Sequence, residues 1–105
     1  MSSTDIDAVR ELLRSRPRPI GWAERRERLD AIGSASPVAR DMRLEAADAN
    51  GVAAEWSLAQ GGDPSKVLLF FHGGGYCSGS IASHRGMVTA VGRAAGVRTL
   101  AVGYR

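Results

Sequence analysis

The densest chemistry in the sequence lies in nine residues, His72-Gly73-Gly74-Gly75-Tyr76-Cys77-Ser78-Gly79-Ser80, directly behind the aliphatic run Val67-Leu68-Leu69-Phe70-Phe71. Consecutive glycines let a backbone reach positive φ and approach a ligand with no Cβ in the way. Successive N–H groups can then point into one concavity and stabilise negative charge. Phosphate is one candidate charge. A phosphate loop, however, needs lysine after its second glycine, and here Ser80 follows Gly79. The dinucleotide pattern fails too, because counting from Gly73 puts Ser78 where its last glycine belongs. The charge that remains is the oxyanion of acyl transfer, which a pair of backbone donors stabilises. Gly75 to Gly79 imitates the Gly-x-Ser-x-Gly spacing of a nucleophile elbow, but its middle residue is Cys77 and its serine comes one place late. Cys77 as a nucleophile would need a neighbouring base or a lowered pKa, and its plainer role is a small side chain behind the loop. With His72 and His84 it would make an incomplete zinc set, with no evident further ligand.

Such a loop works only when a scaffold holds it. The run Val67–Phe71 does not alternate, which predicts a strand buried on both faces within a parallel sheet covered by helices. Ligands gather at the carboxyl ends of such strands. A helix is expected from about Ser83 to Ala95, with Met87, Val88, Val91 and Ala95 inward, Gly96 at its end and His84 exposed near its start. A strand over Val97–Val102 then completes a right-handed βαβ unit. Upstream, Met42, Leu44 and Ala46, and then Val52, Ala54, Trp56 and Leu58, alternate on either side of Asn50-Gly51, the signature of a tight hairpin. Gln60 to Pro64 reads as a loop. Two short amphipathic helices precede all this. The first is capped by Thr4 with Asp7, carries Ile6, Val9, Leu12 and Leu13 on one face, and stops near Arg16 because Pro17 and Pro19 follow. The second runs from about Trp22 to Ile32, with Trp22, Leu29 and Ile32 on a stripe and Gly33 as its stop. A doubly buried strand needs neighbours on both sides, and the last strand is expected to leave its outer edge unpaired. On that ground the chain reads as the front part of a larger α/β domain.

Composition narrows the function classes. The 105 residues are 44% hydrophobic and 24% charged, enough for one small domain and too apolar for a disordered chain. The longest apolar run is far short of the roughly 20 residues a membrane span requires. The N-terminus is polar and acidic, unlike a secretory signal. Fourteen basic against eleven acidic residues give a net charge of +3. Arginines crowd the stretch from Arg10 to Arg28, but Glu11, Glu24 and Glu27 interleave with them, so the reading is a solvated helical face rather than a nucleic-acid surface. One cysteine, Cys77, cannot form an internal disulfide, which suits a reducing cytoplasm.

The residues Leu69-Phe70-Phe71-His72-Gly73-Gly74-Gly75-Tyr76, with Gly79-Ser80 after them and Val102-Gly103-Tyr104-Arg105 at the next strand end, resemble the hormone-sensitive-lipase-like esterases with their HGGG motif, a family of the α/β-hydrolase fold. Gly103 stands where that family more often has aspartate. The resemblance implies an N-terminal portion only, with residues 1–34 as cap helices and residues 35–105 as the first strands and first crossover helix of the core, truncated before the nucleophile elbow. It implies that Gly73 and Gly74 present oxyanion-hole N–H groups, that His72 and Gly75 support the loop, and that Tyr76 and Trp22 are candidate substrate contacts. It implies hydrolysis of carboxylic esters of short to medium acyl length, with no metal or cofactor. The Ser/Asp/His triad would come from the remainder of the same enzyme, beyond Arg105, so this chain alone should be inactive. A truncated non-catalytic product or binding module without esterase activity is the alternative.

Overall fold

The computed structural model describes residues 3–15, 18, 20–75 and 77–104. Its elements are α1 (Ser3–Arg14), α2 (Trp22–Ser34), β1 (Arg43–Ala49), β2 (Val52–Leu58), β3 (Asp63–Phe71), α3 (Ile81–Ala95) and β4 (Val97–Val102). The four strands form one mixed sheet in the order β1-β2-β4-β3. β1 and β2 pair antiparallel, as do β2 and β4, while β3 and β4 run parallel.

The hairpin forms where the alternation placed it. Asn50 (φ 54°) and Gly51 (φ 94°) both take left-handed conformations, as the tight turn requires, and Asp48 accepts the Gly51 N–H at 3.0 Å. α3 is fixed at both ends. Ser80 and Ser83 exchange side-chain and backbone hydrogen bonds in a capping box, and Gly96 closes the helix at φ 68°.

The core is built from small side chains. Thr99 in β4 is fully buried, its hydroxyl bonded to that of Ser57 in β2, so a polar group is taken out of water without a lost partner. Gly92 of α3 lies directly over it: a Cβ there would sit 2.5 Å from Thr99 Cγ2. Among the described residues, the buried apolar ones are Val88, Ala54, Ala59 and Ala101.

Several expectations are corrected. β4 does not leave an open edge; it lies between β2 and β3, and the edges of the sheet are β1 and β3. The run Val67–Phe71 is therefore not buried on both faces. Leu69 is 54% and Phe71 60% exposed, because α3 packs on one face of the sheet and no described helix covers the other. β3 also begins earlier than expected, at Asp63, and an irregularity in register between Asp63 and Val67 accommodates Pro64. The inward face of α3 is Val88, Thr89 and Gly92, whereas Met87, Val91 and Ala95 are exposed, because small residues let the helix approach β4. Thr4 lies inside α1, one residue past its start. The proline stop, at Arg16, Pro17 and Pro19, falls outside the described residues. Gly33 does not end α2, which runs to Ser34; a Cβ at Gly33 would collide with the backbone of Ser83, so the glycine serves close packing of α2 on α3. The apolar stripe of α1 stays largely exposed.

Candidate functional site

The glycine-rich loop leaves the carboxyl end of β3 and is folded around a single acceptor. The Gly74 carbonyl takes hydrogen bonds from the backbone N–H of Cys77 (3.3 Å) and Ser78 (3.1 Å), from the Ser78 hydroxyl (2.8 Å) and from the Cys77 thiol (3.4 Å). That reversal needs Gly74 at φ 144° and Gly75 at φ 67°. At Gly74 a Cβ would also collide with the Ser78 backbone, whereas Gly75 has only the Cys77 sulfur nearby, at 3.8 Å. Gly73 is different again, since a Cβ there would meet nothing within 4 Å. Among the described residues, no acceptor takes the Gly73 or Gly74 N–H. The loop thus offers two donors whose carbonyl neighbours are occupied elsewhere.

His72 anchors the loop from below. It is 6% exposed, its Nδ1 lies 3.1 Å from the Gly73 carbonyl, and its ring stacks on Tyr104 with centroids 4.4 Å apart. The Tyr104 hydroxyl donates to the His72 carbonyl, which ties the ends of β3 and β4 together. Its Nε2 is buried and has no partner among the described residues. Gly79 fits closely over this ring: a Cβ there would sit 2.6 Å from His72 Nδ1. His84 is half-buried rather than exposed, with its ring 5.8 Å from that of His72 and its Nδ1 2.7 Å from the Ser83 hydroxyl. These histidines do not gather a metal set; among the described residues no group of three or more His, Cys, Asp or Glu could hold an ion.

Two residues that the sequence reading did not single out hold the loop from α2. Arg26 donates through Nε to the Cys77 carbonyl at 3.0 Å, and Asp30 accepts from the Ser80 hydroxyl. One turn apart on the helix, they grip the loop at its crest and at its exit. Nothing in the sequence pairs Asp30 with a serine fifty positions on; a helical i,i+4 pair of opposite charge was the only hint. Beside this contact a cleft of about 480 Å³ opens, lined by His72, Gly79, Ser80, Asp30 and Tyr104. Its far wall carries Arg85, bound to Glu55 by two 2.8 Å hydrogen bonds, an ion pair that raises the arginine pKa further above its ordinary value. Trp22 is not brought to the loop. It stands 55% exposed at the start of α2, with the Arg25 guanidinium 5.1 Å over its ring. Tyr76 lies outside the described residues.

Residues 68–105 match a family described as the alpha/beta hydrolase fold. An acetyl-hydrolase of Streptomyces hygroscopicus is 34% identical over an alignment that takes in 100% of this chain and 36% of that protein. Among solved structures, an esterase from the bacterial hormone-sensitive lipase family superposes with a TM-score of 0.90 at 34% identity, over 100% of this chain and 36% of its own. An esterase/lipase from an uncultured bacterium gives a TM-score of 0.85 at 31% identity, over 99% and 36%. The chain thus spans about a third of the length of the relatives it matches.

Proposed function

We propose that this chain, which corresponds to the N-terminal portion of a hormone-sensitive-lipase-like α/β-hydrolase, contributes the oxyanion hole of a serine carboxylic ester hydrolase acting on short to medium acyl esters. The observation that carries the reading is the loop itself: unclaimed Gly73 and Gly74 N–H groups at the carboxyl end of a parallel strand, on a reversal that positive φ at Gly74 makes. In the reaction a serine from the rest of the enzyme attacks the ester carbonyl, and a histidine held by an acid takes its proton. The carbonyl oxygen gains a negative charge, which Gly73 and Gly74 N–H share with the residue after the nucleophile. His72 keeps the loop rigid from beneath and Gly75 keeps its mouth open. Residues 1–34 act as the cap, with Trp22 and Tyr76 as substrate contacts, and no metal or cofactor takes part.

The bare edge of β3 supports a partner polypeptide, since an unpaired row of backbone groups beside an exposed apolar face is where further strands add. That partner is the remainder of the same enzyme, carrying the triad, so the chain by itself is inactive. The single free cysteine suits a cytoplasmic setting, and no described helix is long and apolar enough to cross a membrane. The test is p-nitrophenyl butyrate hydrolysis by this chain alone and by a chimera in which it replaces the corresponding third of a related esterase. We expect no turnover from the chain and restored turnover from the chimera. A folded chimera with an intact triad and no activity would refute the reading.

A further inference from the structure

A second cleft, of about 350 Å³, lies between α1 and α2 and reaches the crest of the glycine loop. Leu13, Leu29 and Ile32 form its apolar lining, and Arg18, Arg25 and Arg28 its charged lining. Ser78, whose hydroxyl is committed to the Gly74 carbonyl, closes the end nearest the loop. No carboxylate lines the cleft. Of the three acids of α2, Glu24 accepts the Ile20 N–H at 3.2 Å and Asp30 accepts from Ser80, and Glu27 does not line the cleft. Arg28 gives one N–H to the Leu13 carbonyl at 2.9 Å and so holds α1 against α2 as the back wall. Arg18 and Arg25 have no acidic partner among the described residues. Guanidinium groups beside aliphatic walls suit a ligand that is anionic at one end and apolar along its length. The volume, at the low end for ligand pockets, suits a short chain and not a large one.

We propose that this cleft binds an aliphatic chain ending in a carboxylate, with the carboxylate on Arg18 and Arg25 and the chain over Leu13, Leu29 and Ile32. The proposal draws its link to catalysis from the esterase reading, but binding requires no turnover and can be measured without it. Two sources share this chemistry: the acid released from an ester, and an ester that carries a second, free carboxylate.

Trp22, with Arg25 over its ring, supplies a fluorescence signal for titrating the 105-residue chain with hexanoate, 1-hexanol and acetate. We expect saturable binding of hexanoate about tenfold tighter than of hexanol, with acetate weaker still. The double variant Arg18→Gln/Arg25→Gln should lose about tenfold in hexanoate affinity and leave hexanol unchanged, and Arg18→Lys/Arg25→Lys should recover part of the loss. Both arginines lie at the surface, so folding is not at stake; far-ultraviolet circular dichroism checks it. Competition by the monoethyl ester of adipic acid at a concentration like that of hexanoate would assign the site to acidic ester substrates. Competition by free acids alone would assign it to the product. Equal affinity for hexanol and hexanoate, an unaffected double variant, or no saturation in the millimolar range would each overturn the proposal. So would binding to phosphatidylglycerol vesicles that depends on the same arginines and that hexanoate does not displace.

Discussion

Three adjacent glycines carry three different constraints. Gly73 has ordinary φ and open space at its Cβ position, Gly74 has φ 144° with the Ser78 backbone in the way, and Gly75 has φ 67° with room to spare. Alanine should therefore separate folding from catalysis. In the chimeric enzyme, Gly73→Ala is expected to leave the melting temperature unchanged while its methyl intrudes on the oxyanion, cutting kcat on the order of 10²-fold with little change in KM. Gly74→Ala should lower both, because the loop must reopen to admit it. Equal loss of melting temperature in both variants would mean that Gly73 serves packing only. Elsewhere, Asp63 accepts from both the backbone and the hydroxyl of Ser65, and these bonds, the side-chain one foremost, lower its pKa below the ordinary 3.8. A carboxyl whose folded value lies below its unfolded value stabilises the fold above the unfolded value and loses that contribution as pH falls through the folded one. The urea midpoint of Asp63→Asn should thus trail that of the parent at neutral pH and meet it in strong acid, by an amount kept small by exposure.

At the scale of elements, the union of α2 with α3 decides where the loop sits. Helix α2 approaches through Gly33, whose missing Cβ lets the backbone of Ser83 in, and this brings Arg26 and Asp30 onto the loop. A glycine within an exposed helix usually gains about 1 kcal/mol when replaced by alanine. Here the sign should reverse: Gly33→Val is expected to cost about 1–3 kcal/mol, read from urea unfolding, because the overpacked helices must separate. Helical periodicity in the sequence located α2 to within two residues at its end, but a C-terminal glycine looks the same whether it stops a helix or admits a neighbour. Likewise α3 shows its stop locally, in Gly96, while it starts two residues before the expected Ser83 and buries only Val88 of the expected inward face. Two large side chains, Met87 and Val91, face outward although Val88 is buried, and the close approach to Thr99 is made by Gly92.

Taken whole, the chain has a covered face and a bare one. Register places Leu69 opposite Leu100 and Phe71 opposite Val102 on the face away from α3, next to the unpaired edge of β3. An exposed apolar strand edge templates pairing with another chain. We expect the isolated chain to self-associate as concentration rises, and Leu69→Lys to suppress this in light scattering without loss of secondary structure. Concentration-independent scattering by the parent would mean that the face is otherwise protected.

What the sequence determined by itself was everything written within a few residues: the Asn50-Gly51 turn, the Gly96 stop of α3, the pairing of β1 with β2, and the glycine loop placed directly behind a strand. Those signals are legible because φ preference, capping and side-chain period are local properties of the backbone. The tertiary structure alone decided the rest: that β4 enters between β2 and β3, that Val67–Phe71 forms an edge, and that Arg26 and Asp30 close on the loop. Backbone hydrogen bonds between strands are the same whichever strands they join. Order in a sheet is therefore set by how distant small residues such as Ser57, Gly92 and Thr99 fit together, and no local pattern records that fit.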